Sequence, residues 1–256
     1  RQALRAAAIN NNIVPILAGS ALRNKGIPEL MNSICSYLPS PNDRGKIKAK
    51  NTQTKQGEEI EPNEAGPLCA LVFKTTADPY VGKLTYLRVY SGIINSDSTV
   101  WNATRNRAER IGQLYMVRGK SQEAVGQIVA GDIGAVAKLT ETITGDTLCN
   151  KDKPLVLPPI EFPTPNLSVA IHPKTKADLD KLGSSLTRLC EEDLTLAVRK
   201  DPDTAETVLS GMGESQFEVA AEKMKRKFGV EVKIETPKIP YRETITIPTK
   251  SEYKHK

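Results

Sequence analysis

The hydrophobic positions change their spacing along the chain, and these changes predict where one type of structure gives way to another. Between residues 67 and 157, apolar and polar residues alternate over short runs such as KLTYLRVYSGII and DIGAVAKL. Valine, isoleucine, threonine and tyrosine are frequent there, and glycine-containing turn signals separate the runs. Six or more short strands without helices predict a closed antiparallel β-barrel, because closure removes exposed sheet edges.

Residues 166–240 combine strands with two helical stripes. The first stripe consists of Leu179, Leu182, Leu186 and Leu189, and the second of Phe217, Ala220, Ala221, Met224 and Phe228. Thr175 is predicted to cap the first helix, with Asp178 in its first turn, and Gly229 to end the second. With the runs LSVAIHP, LTLAVRK, ETVLSGM and VEVKIE, the order is βαββαβ. This order predicts a ferredoxin-like α+β domain, with two helices on one face of a four-stranded sheet.

Residues 1–40 have the pattern helix, strand, loop, helix. The apolar run IVPIL at 13–17 stops before Gly19, as a buried parallel strand does when it leads into a ligand-binding loop. The second helix has a stripe formed by Ile27, Leu30, Met31, Ile34 and Leu38. Since one strand cannot make a sheet, we predict the C-terminal remnant of an α/β domain. We also expect the chain, which starts at Arg1, to be part of a longer protein.

Three segments lie between or after these domains. Residues 41–66 are polar, with acids and bases in equal number, and predict an exposed connector with one loose hairpin. Residues 158–165, PPIEFPTP, predict a stiff proline-rich linker. Residues 241–256 are expected to begin a further domain or to form a tail.

Composition excludes a few classes of function and leaves most of them open. The 256 residues carry a net charge of +6, which permits contact with a polyanion without requiring it. The four cysteines are far apart and the two histidines are isolated, so buried reduced thiols and no metal site are predicted. No apolar run approaches the roughly 18 residues of a membrane span. We therefore expect a cytoplasmic protein without membrane contact.

Short matches to nucleotide-binding motifs fail on inspection. Gly119-Lys120-Ser121 resembles the end of a phosphate loop, but Leu114 occupies the place of its first glycine. The segment 150–153 imitates N-K-x-D, yet Lys153 stands where an aspartate must accept hydrogen bonds from guanine. The run 191–193, Glu-Glu-Asp, is interpreted as a solvated acidic patch. The sequence therefore predicts no catalytic residues and no cofactor bound by this chain alone.

Two basic clusters are candidate RNA contacts, because basic side chains displace counterions from phosphates. The first surrounds a barrel hairpin near Trp101 and Tyr115 and consists of Arg105, Arg107, Arg110, Arg118 and Lys120. The second lies on the last helix and consists of Lys223, Lys225, Arg226 and Lys227. For the helix, a solvated face is favoured, since Glu222 and Arg226 are spaced as an i,i+4 pair. For the hairpin, RNA contact and a solvated face are equally supported.

Several long segments, taken in chain order, resemble bacterial elongation factor G and its close relatives. They are FKTTADPYVGKLTYLRVYSG (73–92), ERIGQLYMVRGKSQEAVGQIVAGDIGAVAKLTETITGDTLC (109–149), HPKTKADLDKLGSSLTRLCEED (172–193), SGMGESQFEVAAEKMKRKFGVEV (210–232) and PKIPYRETI (237–245). The relatives include factor-G-like paralogues and tetracycline-resistance ribosomal protection proteins. The resemblance extends over nearly the whole chain.

The resemblance implies a place for each segment in a larger protein. Ser20, Ala21 and Leu22 would form the last guanine-contacting loop of a GTPase domain, whose other motifs, GTP and Mg²⁺ would belong to the parent protein upstream. The barrel would be domain II, facing small-subunit ribosomal RNA. The βαββαβ module would be domain III, close to the GTPase centre. The implied partners are the ribosome, through its RNA and small-subunit proteins, and the chain's own GTPase domain, with the protein acting as a monomer.

One segment departs from the family pattern. Many members carry G-M-G-E-L-H-L where this chain has Gly211, Met212, Gly213, Glu214, Ser215, Gln216 and Phe217. The first six of these residues are the predicted surface facing the GTPase centre. Gln216 replaces the usual histidine, so no imidazole is available for a pH-sensitive contact. This favours a divergent or paralogous factor G.

The resemblance implies that the parent is a ribosome-dependent GTPase that promotes movement of transfer and messenger RNA. This segment would then transmit conformational change without being catalytic itself. Two alternatives stay open on the sequence. One is a ribosomal protection factor, and the other is an RNA-binding adaptor without a GTPase domain.

Overall fold

The computed structural model describes residues 1–78 and 82–255 and divides into two compact units, Arg1–Ile160 and Glu161–Lys256. The boundary falls inside the proline-rich segment 158–165, which has no regular secondary structure. Residues 79–81, which belong to the quoted segment 73–92 and to the predicted barrel, lie outside the described residues. Lys256, the last residue of the predicted tail, also lies outside them.

The first unit contains two helices and a series of short strands. In chain order these are α1 (Gln2–Ile9), α2 (Ile27–Tyr37), β1 (Ile47–Asn51), β2 (Gly57–Ile60), β3 (Cys69–Asp78), β4 (Gly82–Ser91), β5 (Ile93–Asn95), β6 (Thr99–Asn102), β7 (Arg107–Arg110), β8 (Leu114–Arg118), β9 (Ser121–Val125), β10 (Gln127–Val129), β11 (Ile133–Ala137), β12 (Thr147–Cys149) and β13 (Leu155–Val156).

The barrel consists of two antiparallel sheets around one hydrophobic core. The larger sheet has eight strands in the order β7-β6-β12-β3-β4-β11-β8-β9, and the smaller sheet pairs β10 with β5. In β4, Leu87 and Val89 are fully buried and Arg88 between them is not, which is the period-two pattern of a strand with one face on a core. The predicted antiparallel β-barrel is confirmed, but its predicted closure is not. Within the described residues, the larger ladder ends at β7 and β9 and does not form a continuous ring.

The predicted connector packs against the barrel. Its hairpin, β1 and β2, is extended by β13, with Lys50 opposite Val156. Ala49 and Ile60 are buried with Cys69 in a second, smaller core. The prediction of a hairpin is confirmed, but the prediction of an exposed segment is wrong for this part. Ile47 and Ala49 of β1 and Ile60 of β2 explain the difference, since they give the hairpin one apolar face that packs on the barrel.

Residues 1–40 contain the two predicted helices but not the predicted strand. Val14 and Ile16 are 83% and 92% exposed, and residues 13–17 pair with no strand in the described part of the chain. A buried parallel strand needs neighbours on both sides for its backbone groups, and the described residues provide none. The Arg5 guanidinium hydrogen-bonds the Ser36 carbonyl at 3.0 Å and the Asp43 carboxylate at 2.5 Å, which joins α1 to the end of α2.

The second unit has the predicted βαββαβ order. Its elements are β14 (Leu167–Pro173), α3 (Lys176–Glu192), β15 (Ala197–Lys200), β16 (Thr207–Gly211), α4 (Glu214–Lys223), a π-helical turn (Met224–Phe228) and β17 (Val232–Glu235). The strands pair antiparallel in the order β15-β16-β14-β17, which is the ferredoxin-like arrangement. The predicted α+β fold is therefore confirmed.

The helix ends of this unit follow the sequence signals. The Asp178 amide donates to Thr175 Oγ1 at 3.2 Å and the Thr175 amide donates to Asp178 Oδ2 at 3.1 Å, so both halves of the predicted capping box form. Gly229 follows the second helix with φ of 63°, as a C-terminal glycine does. Leu182, Leu186 and Leu189 are buried as predicted, whereas Leu179 is 58% exposed, because it lies at the edge of the apolar stripe.

The cysteines and the C-terminal segment differ in part from expectation. Cys69 and Cys149 are fully buried opposite each other on β3 and β12, and burial raises the pKa of Cys69 to about 12. Cys35 is exposed, against prediction, because α2 lies on the surface. Residues 236–255, which include most of the segment expected to begin a further domain or to form a tail, have no regular secondary structure. Among residues 1–78 and 82–255, no helix has both the length and the apolar character needed to cross a bilayer.

Candidate nucleic-acid interface

The predicted guanine-contacting loop is a tight turn. The Ser20 amide donates to the Lys25 carbonyl at 2.9 Å and the Lys25 amide returns a bond to Ser20 at 3.0 Å. Gly26 has φ of 75°, and a Cβ there would lie 2.9 Å from the Ala18 carbonyl oxygen, so only glycine fits. Ala21 and Leu22 are exposed in this turn. The backbone amide of Ser20, the first residue of the predicted loop, is already used inside the turn.

Arg105 has an internal partner in the barrel. Its Nε lies 2.8 Å from Asp146 Oδ2, and the Asp146 side chain is only 5% exposed. The same carboxylate oxygen accepts hydrogen bonds from Asn102 Nδ2 and the Ile143 amide, each at 2.9 Å. A buried carboxylate requires such partners, because desolvation otherwise penalises its charge. The main role of Arg105 is therefore to stabilise the barrel through its ion pair with Asp146.

Arg107 and Arg118 form surface ion pairs. Arg107 Nη1 lies 2.6 Å from Glu141 Oε2, and Arg118 Nη2 lies 3.6 Å from Glu123 Oε2 on the neighbouring strand. Both arginine side chains are more than 60% exposed. Exposed pairs of this kind contribute little to stability and separate easily, so the arginines stay available to a stronger anionic partner. Lys120 is exposed in the turn between β8 and β9, and Gly119 there has φ of 60°, which confirms that the Gly-Lys-Ser match is a turn.

A groove of about 540 Å³ is lined by residues of β7 and β8 and of the segment that ends and follows β11, and Arg110 is one of its lining residues. Tyr115 and Lys138 also line this groove, which we call the Arg110 groove. The buried Glu109 carboxylate fixes its wall by accepting hydrogen bonds from the amides of Thr140 and Glu141 at 3.2 and 3.1 Å. An open groove with a cation beside an aromatic ring is suited to a nucleotide, because the cation attracts the phosphate and the ring can stack on the base.

Sequence reasoning missed Lys138 as a member of this groove. Lys138 is 23 residues beyond Tyr115, and only the pairing of β11 with β8 brings the two together. Its backbone has φ of 62°, and its amide donates to the Lys83 carbonyl at 2.8 Å. A basic residue directly after the strand run IGAVA was the one signal available.

Two of the four residues in the basic cluster near the end of the last helix form ion pairs within the domain. Lys225 Nζ lies 2.9 Å from Glu231 Oε1, and Lys227 Nζ lies 2.7 Å from Glu192 Oε1. Lys223 is half-buried and Arg226 is exposed. The π-helical turn changes the spacing of the residues here, so the partners differ from the i,i+4 pair expected from the sequence. The cluster therefore has fewer unpaired cations than its sequence suggests.

The segment 191–193 is part of the helix-packing interface and not the solvated patch predicted. The Glu192 side chain is only 8% exposed beside Lys227. Asp193 is half-buried at the C-cap of α3, and its Oδ1 accepts hydrogen bonds from the amide and the hydroxyl of Thr195. Burial alone would raise the pKa of Asp193, but hydrogen bonds from Thr195 and Gln216 together outweigh it and lower that pKa.

The predicted surface 211–216 is held by Gln216. Its Oε1 accepts from the Met212 amide at 2.7 Å, and its Nε2 donates to Asp193 Oδ2 at 3.0 Å and to Thr195 Oγ1 at 2.7 Å. Gly211 is buried under this network, while Glu214 and Ser215 are exposed at the start of α4. The glutamine thus uses both ends of its amide to fix the loop.

Each of the two units matches a family model, and both models describe domains of the same protein family. Residues 67–151 match the family model described as "Elongation factor G domain 2", and residues 162–236 match "Elongation Factor G, domain III". A crystal structure of a protein from Thermus thermophilus is 32% identical, with a TM-score of 0.74, and the alignment covers 94% of this chain. The same alignment covers 34% of that chain, so this sequence spans about a third of the length of its match.

Proposed function

Since the chain belongs to the elongation factor G family, we propose that it forms the ribosome-contact and coupling domains of a GTPase that promotes tRNA and mRNA translocation. The observation that carries this proposal is the succession of domain II and domain III in one chain, each with its family fold. A translation-factor-like role follows from the family alone. Ribosome binding and translocation are the proposed part.

In the proposed mechanism, the linker 158–165 couples the two units. On its N-terminal side, the Leu157 amide donates to the Thr147 hydroxyl inside the barrel at 3.1 Å. On its C-terminal side, the Asn166 amide donates to the Gly211 carbonyl at 3.0 Å. Four prolines between these attachments restrict the backbone dihedral angles. Such a stiff linker would transmit a rotation of one domain to the other, because the chain between them bends little and absorbs little of the rotation.

We further propose that GTP and Mg²⁺ are held by a GTPase domain outside these 256 residues, to which Ser20, Ala21 and Leu22 contribute the guanine-side loop. The chain itself would not be catalytic. The proposed partners are ribosomal RNA and small-subunit proteins, with the protein acting as a cytoplasmic monomer. Micromolar binding of GTP or GDP by the 256-residue chain alone would contradict this division of labour.

The decisive experiment uses the full-length protein that contains this chain. We expect it to sediment with ribosomes in the presence of a non-hydrolysable GTP analogue and to show ribosome-stimulated GTP hydrolysis. Absence of both would overturn the proposal. Release of tetracycline from the ribosome without translocation would instead identify a ribosomal protection factor.

Linker variants then test the coupling role. Replacing Pro158, Pro159, Pro163 and Pro165 by serine should leave ribosome binding and GTP hydrolysis intact while reducing translocation per GTP hydrolysed. Pro248→Ser, in the exposed C-terminal segment, is the matched control. Equal translocation by the linker variant and the control would refute coupling through the prolines.

A further inference from the structure

A second basic groove lies on the outer face of the barrel, and its described lining includes none of the candidate residues predicted from the sequence. We call it the Arg88 groove. It has a volume of about 440 Å³, and the residues that matter here are Pro41, Arg44, Lys46, Pro62, Arg88 and Tyr90. The strand β4 supplies Arg88 and Tyr90, and the segment before and after the β1–β2 hairpin supplies the others.

Arg88 lies on the outer side of the barrel sheet, because its neighbours Leu87 and Val89 are fully buried in the barrel core. Its guanidinium carbon is 5.3 Å from the centroid of the Tyr90 ring, so the group stacks on an aromatic face. The Arg88 Nε is buried and has no hydrogen-bond partner among the described residues. An N–H without an acceptor is unfavourable, so an acceptor bound at the Arg88 side chain, which lines the groove, would relieve this cost.

The charge of the groove defines that acceptor as an anion. Arg44, Lys46 and Arg88 all line it, and no aspartate or glutamate is among its described lining residues. Lys46 Nζ lies 3.3 Å from Glu61 Oε1, but the two side chains are 57% and 64% exposed. Such a pair is weak and gives way to a more highly charged partner. The groove therefore holds three cations that have little internal compensation.

We propose that the Arg88 groove binds a phosphodiester of single-stranded RNA. A guanidinium fork matches phosphate geometry, and a phosphate in a chain brings neighbouring charges that a single carboxylate lacks. Pro41, Pro62 and Tyr90 provide apolar and aromatic walls for the attached sugar and base. The proposal rests on the proposed function only in naming RNA as the source of the phosphate.

The test compares two double variants of the full chain that remove the same charge from the same short segment. Arg44→Gln with Lys46→Gln changes two exposed groove residues, and Lys48→Gln with Lys50→Gln changes two exposed lysines of β1 outside the groove. Binding of a fluorescein-labelled oligouridylate is measured by anisotropy over a series of salt concentrations. The groove variant should bind about tenfold more weakly, and its log–log salt slope should fall by about 1.4, the value for two phosphate contacts. The control variant should change affinity less than about twofold.

Arg88→Lys tests the geometry at constant charge. It keeps the cation but removes the fork, so RNA affinity should fall severalfold while circular dichroism and the thermal midpoint stay close to the parent chain. Equal losses in the groove variant and the control would overturn the proposal, as would no RNA binding by the parent chain. Competition by inorganic pyrophosphate or free UMP as strong as that by unlabelled RNA would overturn the assignment to an RNA chain.

Ribosome sedimentation of the full-length protein separates this proposal from the proposed function. If the parent protein binds ribosomes and the Arg44/Lys46 variant binds equally well, the Arg88 groove is not an RNA contact and the proposed function stands. If oligouridylate binding depends on the groove but the full-length protein never binds ribosomes, the groove assignment stands and the proposed function fails.

Discussion

Gln216 Nε2 donates a hydrogen bond to Asp193 Oδ2 at 3.0 Å, which joins the first turn of α4 to the C-cap of α3. The carbonyl oxygen of the same side chain accepts from the Met212 amide at 2.7 Å, and the amide nitrogen also reaches Thr195. The side chain therefore forms an internal network that fixes the loop 211–216.

The first prediction concerns the removal of this network. Gln216→Ala should lower the free energy of unfolding by about 1–3 kcal/mol, because the Met212 amide and the half-buried Asp193 lose their partner. Urea denaturation of the chain measures this difference. Ser215→Ala, at the exposed neighbouring position, is the control and should change stability by less than about 0.5 kcal/mol. Equal stability of the two variants would show that the network is dispensable.

The second prediction concerns Gly211, at the end of β16. A Cβ added there would lie 2.6 Å from Gln216 Oε1 and 2.9 Å from Phe217 Cε1, and both side chains are already fixed by packing or hydrogen bonds. Gly211→Ala should therefore destabilise the chain by about 1–3 kcal/mol through overpacking.

A second glycine, Gly183, is the matched control, and its replacement by alanine should change stability in the opposite direction. Gly183 lies in the middle of α3, is exposed, and a Cβ there would meet no atom within 4 Å. Gly183→Ala should stabilise the chain by up to about 1 kcal/mol, because alanine favours the helix. Thermal midpoints of the two variants, recorded side by side, should move in opposite directions. A loss of stability at both positions would argue against the packing described around Gly211.

Much of the fold could be predicted from local patterns, because each pattern had a local cause. The βαββαβ order follows from two helical stripes, and the ends of its helices follow from Thr175, Asp178 and Gly229. The barrel strands follow from alternating residues such as Leu87 and Val89. These features depend on neighbours in sequence, which a single chain reveals.

Where prediction was wrong, the outcome depended on residues distant in sequence. The apolar run 13–17 has the composition of a strand, but strand formation requires partners that the described chain does not contain. Ala49 and Ile60 are buried because β13, far along the chain, pairs with β1. The Arg88 groove escaped notice for the same reason, since Arg88 is distant in sequence from Arg44 and Lys46.

The third prediction concerns acid stability of the second unit. Hydrogen bonds from Lys225 and Lys174, each 2.9 Å long, hold the pKa of Glu231 at about 2, below its ordinary value of 4.5. A carboxylate with a lowered folded-state pKa stabilises the fold above the unfolded value and loses this contribution as the pH falls toward the folded value. The thermal midpoint of the parent chain should therefore fall between pH 4.5 and about 2 more steeply than that of Glu231→Gln.

The comparison between variants isolates Glu231 from other carboxylates whose pKa is also lowered in the folded chain, such as Asp178, whose carboxylate accepts hydrogen bonds from Thr175. Above about pH 5 the two proteins should differ by a constant small amount, since the ion pairs are on the surface and screened by solvent. Glu243→Gln, in the exposed C-terminal segment, should follow the parent chain at every pH. If Glu231→Gln also follows the parent chain through this range, the pairs with Lys225 and Lys174 do not persist in solution.

The fourth prediction separates the two roles within the basic hairpin cluster. Arg105→Gln leaves the buried Asp146 carboxylate without its cation, so it should lower the free energy of unfolding by about 1–3 kcal/mol, the range for the loss of a hydrogen bond to a charged group. Arg110→Gln with Lys138→Gln removes two cations that line the Arg110 groove and should leave stability within about 0.5 kcal/mol. The same double variant should weaken oligouridylate binding and reduce its salt slope by about 1.4. Urea denaturation measures the stability of both variants, and fluorescence anisotropy measures their RNA binding. If the Arg105 variant loses RNA binding and the Arg110/Lys138 variant loses only stability, then Arg105 contacts the RNA and Arg110 does not.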